Sequence, residues 1–152
     1  MKRRTFLIRA IGTITGLLGH PALLRSARAA WPTERFANGE FNVRFHNEFG
    51  DRSIIDSDQI LLNLPSIAEN GAVVPIHISS DLDNVDKLQI WVEKNPTPLA
   101  AEFDLTPTVL VYLTARIKMA ESSHVIVMAR QGNQWLRARQ WVQVMVGGCG
   151  TG

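Results

Sequence analysis

Cysteine is almost missing from this sequence: Cys149 is the only one in 152 residues. A single thiol rules out an internal disulfide framework, and no Cys-x-x-Cys pair exists for intramolecular exchange. Acidic residues are missing from the first 29 positions, which hold six basic ones (Lys2, Arg3, Arg4, Arg9, Arg25, Arg28). Beyond them, ten basic residues face fourteen acidic ones. The formal charge of +2 thus becomes −4 once the leader is set aside, and no basic footprint for nucleic acid remains. No apolar run approaches the roughly 20 residues of a transmembrane helix, so stable membrane insertion is not expected. There is no glycine-rich phosphate loop between a strand and a helix, and no βαβ alternation. The spacings of His46, His77 and His124 match no short metal motif. The spaced aspartates of 81–86 lack the glycine and terminal glutamate of a calcium loop, and read as a solvated turn. The sequence predicts no catalytic residue and no metal site.

Residues 1–29 have the form of an export signal. A basic start precedes a moderately apolar stretch broken by Gly12, Gly16, Gly19 and Pro21. Ala27-Arg28-Ala29 then offers the small residues that a signal peptidase requires. Arg3 and Arg4 resemble the twin-arginine signal, and Phe6 and Leu7 match the usual positions after the pair. That resemblance implies export of a folded protein to the periplasm.

Residues 30–146 carry the period of β-structure. Ile60, Leu62 and Leu64 alternate with Gln59, Leu61 and Asn63 until Pro65, which predicts a strand with one buried face. Val74, Ile76 and Ile78 share a face in a second strand over 73–80. Pro75 cannot donate a ladder hydrogen bond, so it places that strand near an edge or at a bulge. Leu88, Ile90 and Val92 mark a third strand, and 99–103 a short fourth. The alternation from Val109 to Met119 is the clearest, long enough to expect a bend or bulge inside it. Its other face, with Leu110 and Tyr112, is apolar enough to leave room for an interface. Residues 124–130 and 135–146 complete about seven segments. In the last, Leu136, Ala138, Val142, Val144 and Val146 share a face with Gln140. Residues 66–71 read as a connection with an Asn-Gly turn. Before the strands, Phe36, Phe41, Phe45 and Phe49 recur every four or five residues, which fits a short helix covering an open part of the core. The expected fold is all-β: an immunoglobulin-like antiparallel β-sandwich with a short N-terminal helical or irregular segment and a flexible C-terminal arm.

That arm, 147–152, is where the chemistry concentrates. Gly147, Gly148, Gly150 and Gly152 surround Cys149 and leave the thiol no apolar neighbours to bury it. A histidine and an acid could in principle meet a cysteine nucleophile in space, but a glycine-flanked tail does not hold one in place. The pattern suits a carrier instead. Glycine adds little bulk and much backbone freedom around a thiol that must enter several enzyme pockets.

The chain resembles the SoxY family, the sulfur-carrier subunit of the periplasmic thiosulfate-oxidising multienzyme system. The resemblance rests on Leu64-Pro65, Ile67-Ala68-Glu69-Asn70-Gly71, Val74-Pro75, Glu93-Lys94-Asn95-Pro96 and the closing Val146-Gly147-Gly148-Cys149-Gly150. The family pattern ends Gly-Gly-Cys-Gly-Gly; here Thr151 replaces the last glycine and Gly152 follows. The resemblance implies a non-enzymatic protein without cofactor, whose Cys149 covalently carries sulfur intermediates. It implies a heterodimer with a SoxZ-like β-sandwich subunit. It also implies service by a haem-containing loading enzyme, a thiosulfohydrolase and, in some systems, a sulfane dehydrogenase. Two other readings remain open: a related sulfur-carrier paralogue in another periplasmic oxidation system, and a structural subunit whose cysteine forms an intermolecular disulfide.

Overall fold

The structure, a computed structural model, describes residues 33–106 and 108–145. The leader and the tail from 146 onward, with Arg3, Arg4, Cys149 and the four arm glycines, lie outside the described residues.

Alternation of apolar and polar side chains builds two facing sheets. The small sheet has the order β2 (Ile60–Asn63), β4 (Val74–Ser80), β7 (Val111–Ile117), all antiparallel. The large sheet runs β1 (Ile54–Asp56), β9 (Gln134–Val144), β8 (Ser123–Gln131), β5 (Val85–Val92), β6 (Leu99–Asp104). The two-residue β3 (Ile67–Ala68) also lies along β9, at its far end. Between the sheets, Val74, Ile76 and Ile78 of β4 meet Leu88, Ile90 and Val92 of β5, Val125 and Val127 of β8, and Leu136 and Val142 of β9. Burying each such side chain contributes roughly 1.5–3 kcal/mol, before the entropy of ordering it is set against this.

A second apolar layer lies on the outside of the large sheet. Helix α1 (Phe41–Phe49) follows Asn38-Gly39, and its first bond runs from the Arg44 N–H to the Glu40 carbonyl at 3.0 Å. Gly50 ends it at φ 54°, a left-handed geometry that favours glycine, and donates to the His46 carbonyl. Phe41, Phe45 and Phe49 fall on one side and seat against Trp91 and Trp135, with edge-on rings 5.4 Å apart for Phe45–Trp91 and 4.9 Å for Phe49–Trp135. Strand β5 is consequently buried on both faces. Its outward Gln89 is fully enclosed, donates to Glu48 (2.9 Å) and Glu102 (2.7 Å), and accepts from the Trp91 indole (3.0 Å). Arg35 bridges the same two carboxylates.

The two-sheet, mostly β fold with a short N-terminal helix agrees with expectation, with three corrections. The sandwich is not wholly antiparallel: β1 and β3 both pair with β9 in parallel. Residues 66–71, expected to be only a connection, contain β3. No bulge interrupts β7, because its ordered ladder with β4 is seven residues long and reaches neither Val109 nor Met119. Pro75 sits in the middle strand of its sheet, yet β2 stops opposite His77. At Pro75 the strand is therefore locally an edge, where a missing N–H costs no ladder bond.

Candidate functional site

Cys149 lies four residues beyond the last described residue of the tail, so the site is defined by how the chain is led to it. Four extended residues span at most roughly 13–14 Å. Whatever fixes Met145 therefore fixes the centre of the space open to the thiol.

Met145 is held firmly. Strand β9 is flanked on one side by β8 up to the Ser123–Val142 pair. Beyond it the Val144 N–H donates to the Ser122 hydroxyl at 2.8 Å. On the other side β3 takes over: Gln143 donates to the Ser66 carbonyl and Met145 to the Ala68 carbonyl, both at 2.9 Å. The carboxamide of Gln140, on the core face of β9, accepts from the Leu64 N–H (3.3 Å) and donates to the Leu64 carbonyl (2.8 Å). This pins the chain just before the Pro65 turn into β3. Gly71 closes the same corner: a Cβ there would lie 2.3 Å from the Met119 carbonyl oxygen and 2.8 Å from Val144 Cγ1. Its own carbonyl accepts from the Met119 N–H at 2.7 Å.

Around this root Ile67, Trp141 and Met145 are exposed. Trp141 stands edge-on to His124 at 5.1 Å between ring centroids, and the His124 Nδ1 bonds the Glu93 carboxylate at 3.1 Å. Glu93 also accepts from the His124 backbone N–H. The motif Glu93-Lys94-Asn95-Pro96 thus has a structural use here. Asn95 donates to the Lys118 carbonyl (2.7 Å) and accepts from the Ala120 N–H (2.8 Å), tying the end of β5 to the end of β7.

The histidines are not brought together. His46 is exposed on α1, and His77 is exposed on the small sheet, with Thr114 at 3.2 Å. His124 is half-buried between Trp141 and Glu93. Among the described residues no three His, Cys, Asp or Glu side chains are grouped to hold a metal ion. The 81–86 loop is anchored by buried Leu82 and Val85, and its Asp86 pairs with Arg130 at 2.6 Å. Sequence reasoning missed Ser122, β3 and the Leu64–Gln140 pair. The one signal for them was Gln140 itself, a polar residue on an otherwise apolar strand face.

A search of curated proteins returned no match. Among solved structures, the sulfur carrier protein SoxY from Chlorobium limicola f thiosulfatophilum superposes with a TM-score of 0.63 at 28% identity, over 70% of this chain and 97% of that one. A structure of the superantigen toxic shock syndrome toxin-1 overlaps at a TM-score of 0.41 and 14% identity, covering 57% of this chain and 99% of that one, too weakly to bear on the fold. The family described as "Sulfur oxidation protein SoxY" matches residues 46–149, more than half of the chain. That relative is a sulfur carrier protein, and the two sheets, the short helix and the family match agree: this chain belongs to the SoxY family of sulfur-oxidation carrier proteins.

Proposed function

We propose that the protein holds sulfur intermediates covalently on Cys149 and presents them to partner enzymes in the periplasm. The observation that supports this best is the extent of the family match, which runs through residue 149 and so takes in the only cysteine. The firm root at Met145 is consistent with it: a carrier needs a short reach from a fixed point. In this reading residues 1–29 are removed on export by the twin-arginine route, 30–146 form the carrier domain and 147–152 the arm.

The chemistry on the thiol would proceed in steps. A haem-containing enzyme joins Cys149 to the sulfane sulfur of thiosulfate, taking up two electrons while the thiol proton is released. Hydrolysis of the resulting S-thiosulfonate releases sulfate and leaves a persulfide. A sulfane dehydrogenase, where a system has one, takes electrons from that outer sulfur while water supplies its oxygens, and a second hydrolysis releases sulfate and frees the thiol. A SoxZ-like subunit would accompany the carrier throughout.

Intact-mass measurement tests the proposal. Protein recovered from cells supplied with thiosulfate should carry sulfur-based additions that a reductant removes, and Cys149→Ser should carry none. Finding only a disulfide-linked species, without adducts, would favour the structural-subunit reading and sink the carrier.

A further inference from the structure

Residues 143–145 have a different neighbour on each side, and both neighbours stop at nearly the same level. On one side the last bond of β3 runs from the Met145 N–H to the Ala68 carbonyl, after which the chain turns off toward Gly71 and its bond with Met119. On the other side the β8 ladder ends at the Ser123–Val142 pair, two residues short of Val144. The side chain of Ser122, the residue before β8, fills that place. Its hydroxyl accepts from the Val144 N–H at 2.8 Å and donates to the Val144 carbonyl at 3.4 Å. A side-chain oxygen thus stands in for one more rung of the ladder. The loop that presents it is braced: Asn95 bonds the Lys118 carbonyl and the Ala120 N–H, and the Gly71 carbonyl bonds the Met119 N–H. A longer β8 would have gone on pairing with the chain toward Cys149. A hydroxyl supplies one anchor and then ends, so the chain is aligned as far as Met145 and released on both sides together.

We infer that Ser122 is a positioning residue: its hydroxyl sets the direction in which the arm leaves β9, and so where Cys149 is presented. Without it, residues 143–145 keep one flank only, the two-residue β3, and the root is free to lean. A tilt at Val144 is carried along the whole arm to the thiol, which lies five residues further on. Misplacing a reacting group by about 1 Å can cost on the order of a hundred-fold in rate. Ser122 acts through Val144, so it governs delivery of the thiol and leaves its intrinsic reactivity alone. The geometry stands on these contacts; its consequence for cargo transfer rests on the carrier reading of Cys149.

A nitroxide attached to Cys149 reads the direction, because no other cysteine competes for the label. In the parent, broadening of amide resonances should be shared between the two flanks, residues 66–69 and 120–123. In Ser122→Ala the balance between the flanks should shift, and Ser122→Thr, which keeps the hydroxyl, should restore it. Alkylation of Cys149 by iodoacetamide should run at one rate in all three proteins, which separates direction from reactivity. With an S-thiosulfonate loaded on Cys149, kcat/KM for sulfate release by the thiosulfohydrolase should fall on the order of ten-fold in Ser122→Ala and recover in Ser122→Thr. Identical broadening in Ser122→Ala and the parent, a threonine variant that behaves like alanine, or equal kcat/KM in Ser122→Ala and the parent would each overturn the assignment. A parent that never accepts the S-thiosulfonate would instead sink the carrier reading, and the broadening would still decide for or against Ser122.

Discussion

Gln140 sits where the alternation of β9 calls for an apolar side chain, among Leu136, Ala138, Val142 and Val144. Both ends of its carboxamide are used on Leu64, a buried residue 76 positions away in sequence. Gln140→Ala removes both bonds and leaves a buried N–H and carbonyl without partners, a loss of about 1–3 kcal/mol each if no water replaces them. The expected outcome is a lower urea midpoint, with faster amide exchange at Gln143 and Met145, since the β3 clamp begins just after Leu64. The breach of pattern at Gln140 was legible in the sequence, but its partner was not. A hydrogen bond across 76 residues leaves no periodic trace, and the same holds for Gly71, whose need for a bare Cα arises from the Met119 carbonyl pressing on it.

Helix α1 and strand β5 were read one from the other's missing half. The four-residue recurrence of phenylalanine announced the helix, and the alternation of Leu88, Ile90 and Val92 announced the strand. That β5 is buried on its second face follows only when the helix lies across Trp91. Phe49→Ala, at the centre of that aromatic layer, should cost about 3–5 kcal/mol in chemical denaturation. Val43→Ala, on the exposed side of the same helix, should stay within about 0.5 kcal/mol. Strands β1 and β3 escaped notice for a simpler reason. Three and two residues cannot display a period of two, and a parallel pairing to a strand some 80 residues later has no turn signal to mark it.

Across the molecule, ion pairs join elements distant in sequence, and they set how stability responds to acid. Burial pushes the Glu48 carboxyl up, but hydrogen bonds from Arg35 and Gln89 outweigh it and hold the group below its usual range. The Arg137 hydrogen bond lowers Asp56, and the Lys87 hydrogen bond lowers Asp104. A carboxylate whose folded pKa is depressed contributes stability above its unfolded value, and that contribution is lost as pH falls toward the folded one. The urea midpoint should thus drop from pH 7 to pH 3, most steeply below about pH 4, and Glu48→Gln should flatten the drop. The sandwich class was legible from alternation alone. The sheet arrangement was not, because which strand neighbours which is decided by packing across the core, as when β9 lies between β8 and the short pair β1 and β3.

That placement of β9 has a mechanical consequence. Under the proposed carrier role, a partner that draws on Cys149 would load the domain through the end of β9 at Met145. With neighbours on both sides, β9 is loaded in shear: its ladder bonds share the tension together, where a peeled edge strand would break them one by one. The hold of β3 on Gln143, Val144 and Met145 extends that shared load to the last described residue. In that role, tension reaching Met145 would be spread over the ladders on both sides of β9 and not over one edge.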